Sequence, residues 1–460
     1  MREALADDAE AAGFDVRRFL EERKLGRFHV LLTALGAASV GMDGMDAQAI
    51  GYVAPDIARA WGLPRTSLGI VLSASLLGMM LGSMLFGVLG DKLGRKRVIT
   101  SCVLLIGLAT LITTQATSVT ALLCCRLIVG IGIGGVGPNI YALLSEYSPP
   151  GRRATLIMVV TMSFPLGAGL GGILAAHIVP ILGWQSMFWI AGIATTALVP
   201  VLLVWLPDSV RQMVLRGQDE ARIRRILQRI EPGAQIPRGM PLTVSEVSIS
   251  GFPVWELFRN HRAAMTSLIW AMYFVTMLVN YFVSSWLPTI GHDAGMSLET
   301  AVQATSLFQF GGVAGVVAFG LLIDQRRPRL AMTVAYAGVS LFVLVLGFGW
   351  SSHALIAVAA FGAGFCINGT QIGDTFIASV SYPTALRSTG VGWGAAIGRV
   401  GATCGPVVGG LLLASGWDRS AMFVIAALLA AILATAVCLL GAKLLPAMRV
   451  APAESPERIA

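Results

Sequence analysis

The stretch Gly87-Val88-Leu89-Gly90-Asp91-Lys92-Leu93-Gly94-Arg95-Lys96-Arg97 closes one long apolar run and opens another. It has a partner further along the chain. Gly320-Leu321-Leu322-Ile323-Asp324, followed by Arg326, Arg327 and Arg329, repeats its glycine, aspartate and basic residues at an offset of 233. A second pair agrees: Tyr147, Pro149 and Arg153 return as Tyr382, Pro383 and Arg387, with Arg153 and Arg387 separated by 234. Parallel repeats of this size imply two bundles related by an axis along the membrane normal, with a substrate site between them near the midplane.

Outward from that pair, the chain reads as a polytopic membrane protein. Of its 460 residues, 55% are hydrophobic and only 13% are charged, and mean hydropathy is +0.75. Runs near the ~20 residues that cross a bilayer number twelve, at 28–53, 67–90, 97–116, 119–141, 153–179, 184–206, 264–290, 299–323, 329–350, 352–378, 388–415 and 418–443. The expected fold class is an all-α membrane protein of twelve transmembrane helices. Its parts are an N-terminal segment (1–27), a six-helix bundle (28–206), a polar linker (207–263), a second six-helix bundle (264–443) and a tail (444–460). The linker's basic amphipathic piece, 219–230, is expected to lie on the inner membrane surface with its arginines toward anionic lipid.

A formal net charge of +8 could suit a nucleic-acid partner, but the placement of the charges argues against one. With both termini in the cytoplasm, 28 of the 33 Lys and Arg fall on the inner side, and the outer loops hold only Arg59, Arg65 and Arg419. That asymmetry sets the orientation. Residues 1–27 mix acids and bases without an apolar run, so no cleavable signal is read there. All six cysteines lie in apolar spans, as small packing residues do. No metal-ligand spacing or nucleophile-base arrangement is present, so no metal, cofactor or enzyme activity is expected.

Two charged elements inside the spans call for a function. Gly41-Met42-Asp43-Gly44-Met45-Asp46-Ala47-Gln48 places two acids in the first span, where each is disfavoured by ~2.5 to 3.5 kcal/mol and marks an ion or proton pathway. Three residues apart, they project from nearly one face of a helix. Arg126, in Arg126-Leu127-Ile128-Val129-Gly130-Ile131-Gly132, lies ~10 Å from the outer end of the fourth span, and the two aspartates lie at ~10 to 15 Å. The three are therefore expected to meet. A permanent guanidinium favours ionised carboxylates and burial favours neutral ones, a competition that can couple proton release to conformation.

The second element is Arg399, in Gly392-Trp393-Gly394-Ala395-Ala396-Ile397-Gly398-Arg399, ~16 Å from the inner end of the eleventh span. Its fork matches a carboxylate in bidentate fashion, which makes it the expected anchor of an anionic substrate. Asp374, ~6 Å deep in the tenth span, lies too shallow to be its partner. Gln48, Asn280, Tyr281, Gln309, Asn368, Gln371 and Trp393 stand at depths where they could line the cavity. Polar side chains at such positions also serve as ordinary interhelical hydrogen bonds.

Gly87-x-x-x-Asp91-x-x-Gly94-Arg95-Lys96-Arg97 closely resembles the signature of the major facilitator superfamily. Within that superfamily, three groups of residues make the whole chain resemble the aromatic acid:proton symporter family. They are Asp43-Gly44-x-Asp46, Ser145-Glu146-Tyr147 before Arg152 and Arg153, and Tyr382-Pro383 with Arg387 through Trp393 and Gly398-Arg399. The resemblance implies uptake of benzoate-like acids with protons, in support of aromatic catabolism, across a bacterial inner membrane by a carrier that acts as a monomer. It implies proton-coupling roles for Asp43, Asp46, Arg126 and Glu146. Gly87, Asp91, Arg95, Asp324, Arg327 and Arg387 are expected to gate the conformational change. Asp374 departs from the pattern. Two rivals are a proton-driven exporter of organic anions or drugs and a non-transporting receptor for aromatic acids.

Overall fold

The computed structural model describes residues 14–217, 220–231, 241–243, 254–324 and 328–444. Twelve of its helices are long and apolar enough to cross a membrane. The first half holds α1 (Arg27–Trp61), α2 (Arg65–Leu93), α3 (Arg95–Thr113), α4 (Val119–Tyr147), α5 (Pro150–Leu182) and α6 (Gln185–Trp205). The second holds α7 (Ala263–Asp293), α8 (Leu298–Asp324), α9 (Pro328–Phe348), α10 (His353–Ser381), α11 (Thr384–Ala414) and α12 (Arg419–Leu444). A helix satisfies its own backbone polar groups, which lipid cannot do.

Hydropathy placed these helices but not their ends. The first span, read as ending at 53, continues as helix to Trp61 and stops at Gly62, whose φ of 61° is a left-handed cap that glycine adopts without a Cβ penalty. Gly94, at φ 100°, makes the sharp turn between α2 and α3 inside the opening motif.

The packing repeats with the sequence. In the first half α2 packs on α4, α1 on α5 and α3 on α6; in the second, α8 packs on α10, α7 on α11 and α9 on α12. The same glycines make both sets of contacts. A Cβ at Gly78 or Gly82 of α2 would strike the Leu127 or Ile131 carbonyl, and one at Gly130 would strike the Ser75 carbonyl. Their counterparts Gly311, Gly315 and Gly364 meet the carbonyls of Phe361, Phe365 and Phe308. Small residues let helix backbones approach where no hydrophobic effect drives association.

The two bundles meet along α2 and α11, α5 and α8, and α1 and α7. Among the described residues their polar bridges run from mid-helix to one end. They are Arg399 Nη1 to the Met79 carbonyl at 3.0 Å, Ser73 Oγ to the Thr403 carbonyl at 2.9 Å, Arg65 to Asp293 at 2.7 Å and Arg59 with His292 at 2.6 Å. At the opposite end, a Cβ at Gly87 or Gly320 would meet nothing within 4 Å. Among the described residues the polar bridges thus close the molecule toward the α1–α2 and α7–α8 loops, and none is found at the end bearing the repeated glycine-aspartate motif.

Between α6 and α7, short helices at Val210–Leu215 and Glu220–Ile230 pack on the first bundle. Phe14–Asp15 pairs in parallel with Leu242–Thr243. The amphipathic Glu220–Ile230 helix does not turn its apolar face to lipid. Ile223, Ile226 and Leu227 are buried with Val16, Phe19, Leu20, Val210 and Met213, leaving Arg222, Arg225 and Arg229 outward. The N-terminal segment supplies the apolar cover that the isolated linker sequence lacks.

Candidate functional site

Asp46 and Arg126 are fully buried at 0% exposure, and the sequence put them at the same depth. Threonine hydroxyls join them. Thr110 Oγ1 donates to Asp46 Oδ1 at 2.9 Å and Thr195 Oγ1 donates to Asp46 Oδ2 at 2.9 Å. Arg126 reaches the Asp46 main-chain carbonyl at 3.4 Å, Thr113 Oγ1 at 3.0 Å and Thr110 Oγ1 at 3.5 Å. Its guanidinium also lies over the Phe188 ring, 4.7 Å from the centroid. The cation thus compensates the acid through hydroxyls and the backbone rather than by a direct fork. Thr110, Thr113 and Thr195 were missed in the sequence, where a threonine in an apolar span looks like a neutral packing residue.

Asp43 does not join this cluster. It is 2% exposed, and its Oδ1 is buried without a hydrogen-bond partner. Three residues on a helix leave an offset of ~60° and a rise of ~4.5 Å, and Asp43 interacts electrostatically with Cys102 and Tyr141 rather than with Arg126. The expected meeting of three charges is therefore a pair with one acid set apart.

Arg399 crosses from the second bundle to the Met79 carbonyl of α2. Tyr141 of α4 and Tyr281 of α7 lie within its electrostatic reach. No carboxylate pairs with it among the described residues. Tyr141 thus stands in the field of both Asp43 and Arg399.

The other expected cavity residues divide. Gln48, Gln309 and Asn368 are buried, whereas Asn280, Tyr281 and Gln371 are half-buried. Asn368 donates to the Gly364 carbonyl at 3.1 Å and fills the notch at Gly312, an interhelical packing role. Trp393 is 41% exposed and stacks on Trp270 at 6.2 Å. Six residues from Arg399, it projects ~120° away on the helix and does not share its face.

The opening motif forms a separate cluster. Arg95 pairs with Glu146 at 3.2 Å and with Asp91 at 3.5 Å, and Ser209 Oγ donates to Glu146 Oε2 at 2.6 Å. Glu146, expected with the proton-coupling group, lies 20 residues along α4 from Arg126, ~30 Å away. The structure puts it with Arg95 and Ser209. Gly90 packs against Asn139, whereas Gly87 faces open space. Asp324 ends α8 and Arg387 is exposed. Arg327 lies outside the described residues.

Two pseudo-symmetric six-helix bundles, closed at one end and holding unneutralised charge between them, define a membrane carrier of the alternating-access class. The sequence profile of the Major Facilitator Superfamily matches residues 36–402. The chain is 37% identical over 428 residues to the 4-hydroxybenzoate transporter PcaK of Pseudomonas aeruginosa, covering 93% of this chain and 95% of that one. It is 35% identical to the gallate transporter of Pseudomonas putida, over 90% and 92% of the two chains. It is 31% identical to the benzoate transport protein of Acinetobacter baylyi, over 87% and 86%. A crystal structure of a bacterial homologue of the human lysosomal transporter Spinster, inward-facing and occupied, superposes with a TM-score of 0.72 at 15% identity, over 94% of this chain and 100% of that one. This protein belongs to the major facilitator superfamily, a family of transporters and not of enzymes.

Proposed function

We propose that this protein imports small aromatic carboxylates with protons across a bacterial inner membrane, as a monomer with both termini in the cytoplasm. The observation that carries the reading is Arg399, a guanidinium at the bundle interface that, among the described residues, donates only to a main-chain carbonyl. Its remaining donors suit a carboxylate. Tyr141 and Tyr281 beside it offer faces for an aromatic ring, and the named relatives carry hydroxybenzoate, gallate and benzoate.

The two acids of α1 take different roles. Asp46, with both carboxylate oxygens accepting hydrogen bonds and Arg126 alongside, stays ionised and holds the first bundle together. Asp43, with one oxygen unpartnered, accepts and releases the proton. Bringing a monoanion into an inside-negative cell is opposed by ~2.3 kcal/mol per 100 mV, and one proton on Asp43 cancels that charge. In the outward-open form the substrate carboxylate takes the place of the Met79 carbonyl on Arg399. Rocking then closes the outer contacts at Arg65 and Asp293 and opens the end bearing Gly87 and Gly320. The Asp91–Arg95–Glu146 cluster is the cytoplasmic part of that gate.

Uptake of labelled 4-hydroxybenzoate into proteoliposomes tests the reading. Wild-type protein is expected to accumulate it when the lumen is alkaline, and Arg399→Ala to take it up at least about tenfold less at low substrate concentration. Equal uptake by Arg399→Ala and wild type refutes the assignment of the anchor.

A further inference from the structure

The second bundle holds a carboxylate that this scheme leaves idle. Asp374 of α10 is 1% exposed and sits seven residues before Ser381, the end of its helix, ~10 Å inside the span. Tyr336 of α9 donates to its Oδ1 at 2.8 Å. Thr276 of α7 donates to its Oδ2 at 2.9 Å. The two hydroxyl oxygens are themselves 2.9 Å apart, at hydrogen-bond distance.

These contacts form a ring with three edges. A hydrogen bond needs one hydrogen per edge, and the two hydroxyls supply two. With an ionised carboxylate, one edge brings two oxygens together with no hydrogen between them. A proton on the carboxyl completes the ring: Asp374 donates to Thr276, Thr276 to Tyr336, and Tyr336 back to Asp374.

Beyond the two hydroxyl donors, no cation nearby among the described residues favours the charged form. The titratable neighbours are Tyr336 from α9 and Tyr273 from α7, with Tyr382 beyond Tyr273. Among the described residues no Lys, Arg or His pairs with Asp374. A buried carboxylate without a cation takes a proton rather than bear the desolvation cost. A small cavity lined by Thr276, Tyr336, Thr370 and Ala430 adjoins the ring.

The ring is also connected to the moving parts. Tyr273, one turn before Thr276, donates to exposed Thr375 at 3.3 Å, next to Asp374. Its ring fills the notch left by Gly394 on α11, the helix that carries Arg399. Loss of the proton would leave both hydroxyls donating to the carboxylate and break the Thr276–Tyr336 edge, loosening α7 from α9 beside the α7–α11 contact.

We infer that Asp374, closed into a ring with Tyr336 and Thr276, is a second proton-binding site, so that two protons enter with each aromatic carboxylate. This rests on the proposed symport. With Asp43 supplying one proton and Asp374 another, each monoanion enters with one net positive charge. The membrane potential then drives uptake, by about fiftyfold in accumulation per ~100 mV.

Full-length protein in proteoliposomes under a potassium diffusion potential provides the test. Wild-type accumulation should rise about fiftyfold per ~100 mV, inside negative. Asp374→Asn should make transport electroneutral, abolishing that rise while uptake still responds to the pH gradient. Tyr336→Phe, which opens the ring but keeps the aromatic volume, should reduce the rise and stands in if Asp374→Asn does not fold. An electroneutral wild type, or a potential response unchanged in the variants, overturns the inference and leaves the one-proton symport standing. Infrared spectroscopy of an Asp43→Asn background gives a readout free of substrate: a protonated-carboxyl band at neutral pH, lost when Asp374→Asn is added. Its absence from the Asp43→Asn protein also overturns the inference. A wild type that moves no aromatic acid under any gradient sinks the symport reading instead, while the band still decides whether Asp374 holds a proton.

Discussion

Asp46 and Asp374 are both buried carboxylates on membrane helices, and each accepts one hydroxyl per oxygen. They differ in what lies behind the hydroxyls. Behind Thr110 is the guanidinium of Arg126; behind Thr276 is only the phenol of Tyr336. On the proposed reading the first bundle stabilises a charge and the second a neutral acid, although the two share a helix architecture and a set of packing glycines. Symmetry fixes where helices meet, and single residues decide whether a buried acid is a strut or a proton carrier.

The largest effect that could break this contrast concerns Asp43, the uncompensated acid beside Asp46. Asp43→Asn is expected to abolish pH-driven accumulation of substrate in proteoliposomes while leaving the folded protein intact. If the variant accumulates substrate like wild type, the exchangeable proton resides elsewhere.

Next in size, Asp46→Asn leaves Arg126 buried without its countercharge, a loss of about 3–5 kcal/mol of stability. Asp374→Asn removes no countercharge and should cost under about 1 kcal/mol, within the usual worth of one hydrogen bond. Denaturant titration of the purified protein in micelles measures both. Equal losses would erase the distinction between strut and proton carrier.

Arg399→Ala should weaken substrate binding by about 1.5–3 kcal/mol, the worth of hydrogen bonds to a charged group. Calorimetry would read this as a loss of tenfold or more, with Arg399→Lys intermediate because it keeps the charge but not the fork. The smallest effect is expected at the closed end. The Arg65–Asp293 pair, with both side chains more than a third exposed, is worth about 0–1 kcal/mol. Asp293→Asn should shift the conformational balance outward by no more than about fivefold, measured as a distance distribution between spin labels on the outer loops.

Much of the fold was legible in the sequence because repetition and hydropathy both report on it. The offset of 233 that joins Asp91 to Asp324 also joins Gly78 to Gly311 and Gly82 to Gly315, so the glycines that set helix spacing were open to the same reading. Helix ends were less legible, since Gly62 stops α1 through its backbone conformation and not through polarity. At the site, depth along a helix was readable and direction was not. Counting rise put Asp43, Asp46 and Arg126 at one level, but the ~60° offset along α1 separated Asp43 from the pair. Trp393 was lost to rotation in the same way, and Glu146 fell beside Arg95 because it sits at the far end of α4. The threonines around Asp46 carry no charge, and the Met79 carbonyl that Arg399 meets is invisible to any reading of side chains.

The central claim is that an aromatic carboxylate and protons move together, and one measurement reaches it directly. Purified protein in liposomes, given labelled 4-hydroxybenzoate and an alkaline lumen, is expected to concentrate the acid above its outside level, and a protonophore to collapse that accumulation to equilibrium. Accumulation that survives the protonophore unchanged would contradict proton coupling.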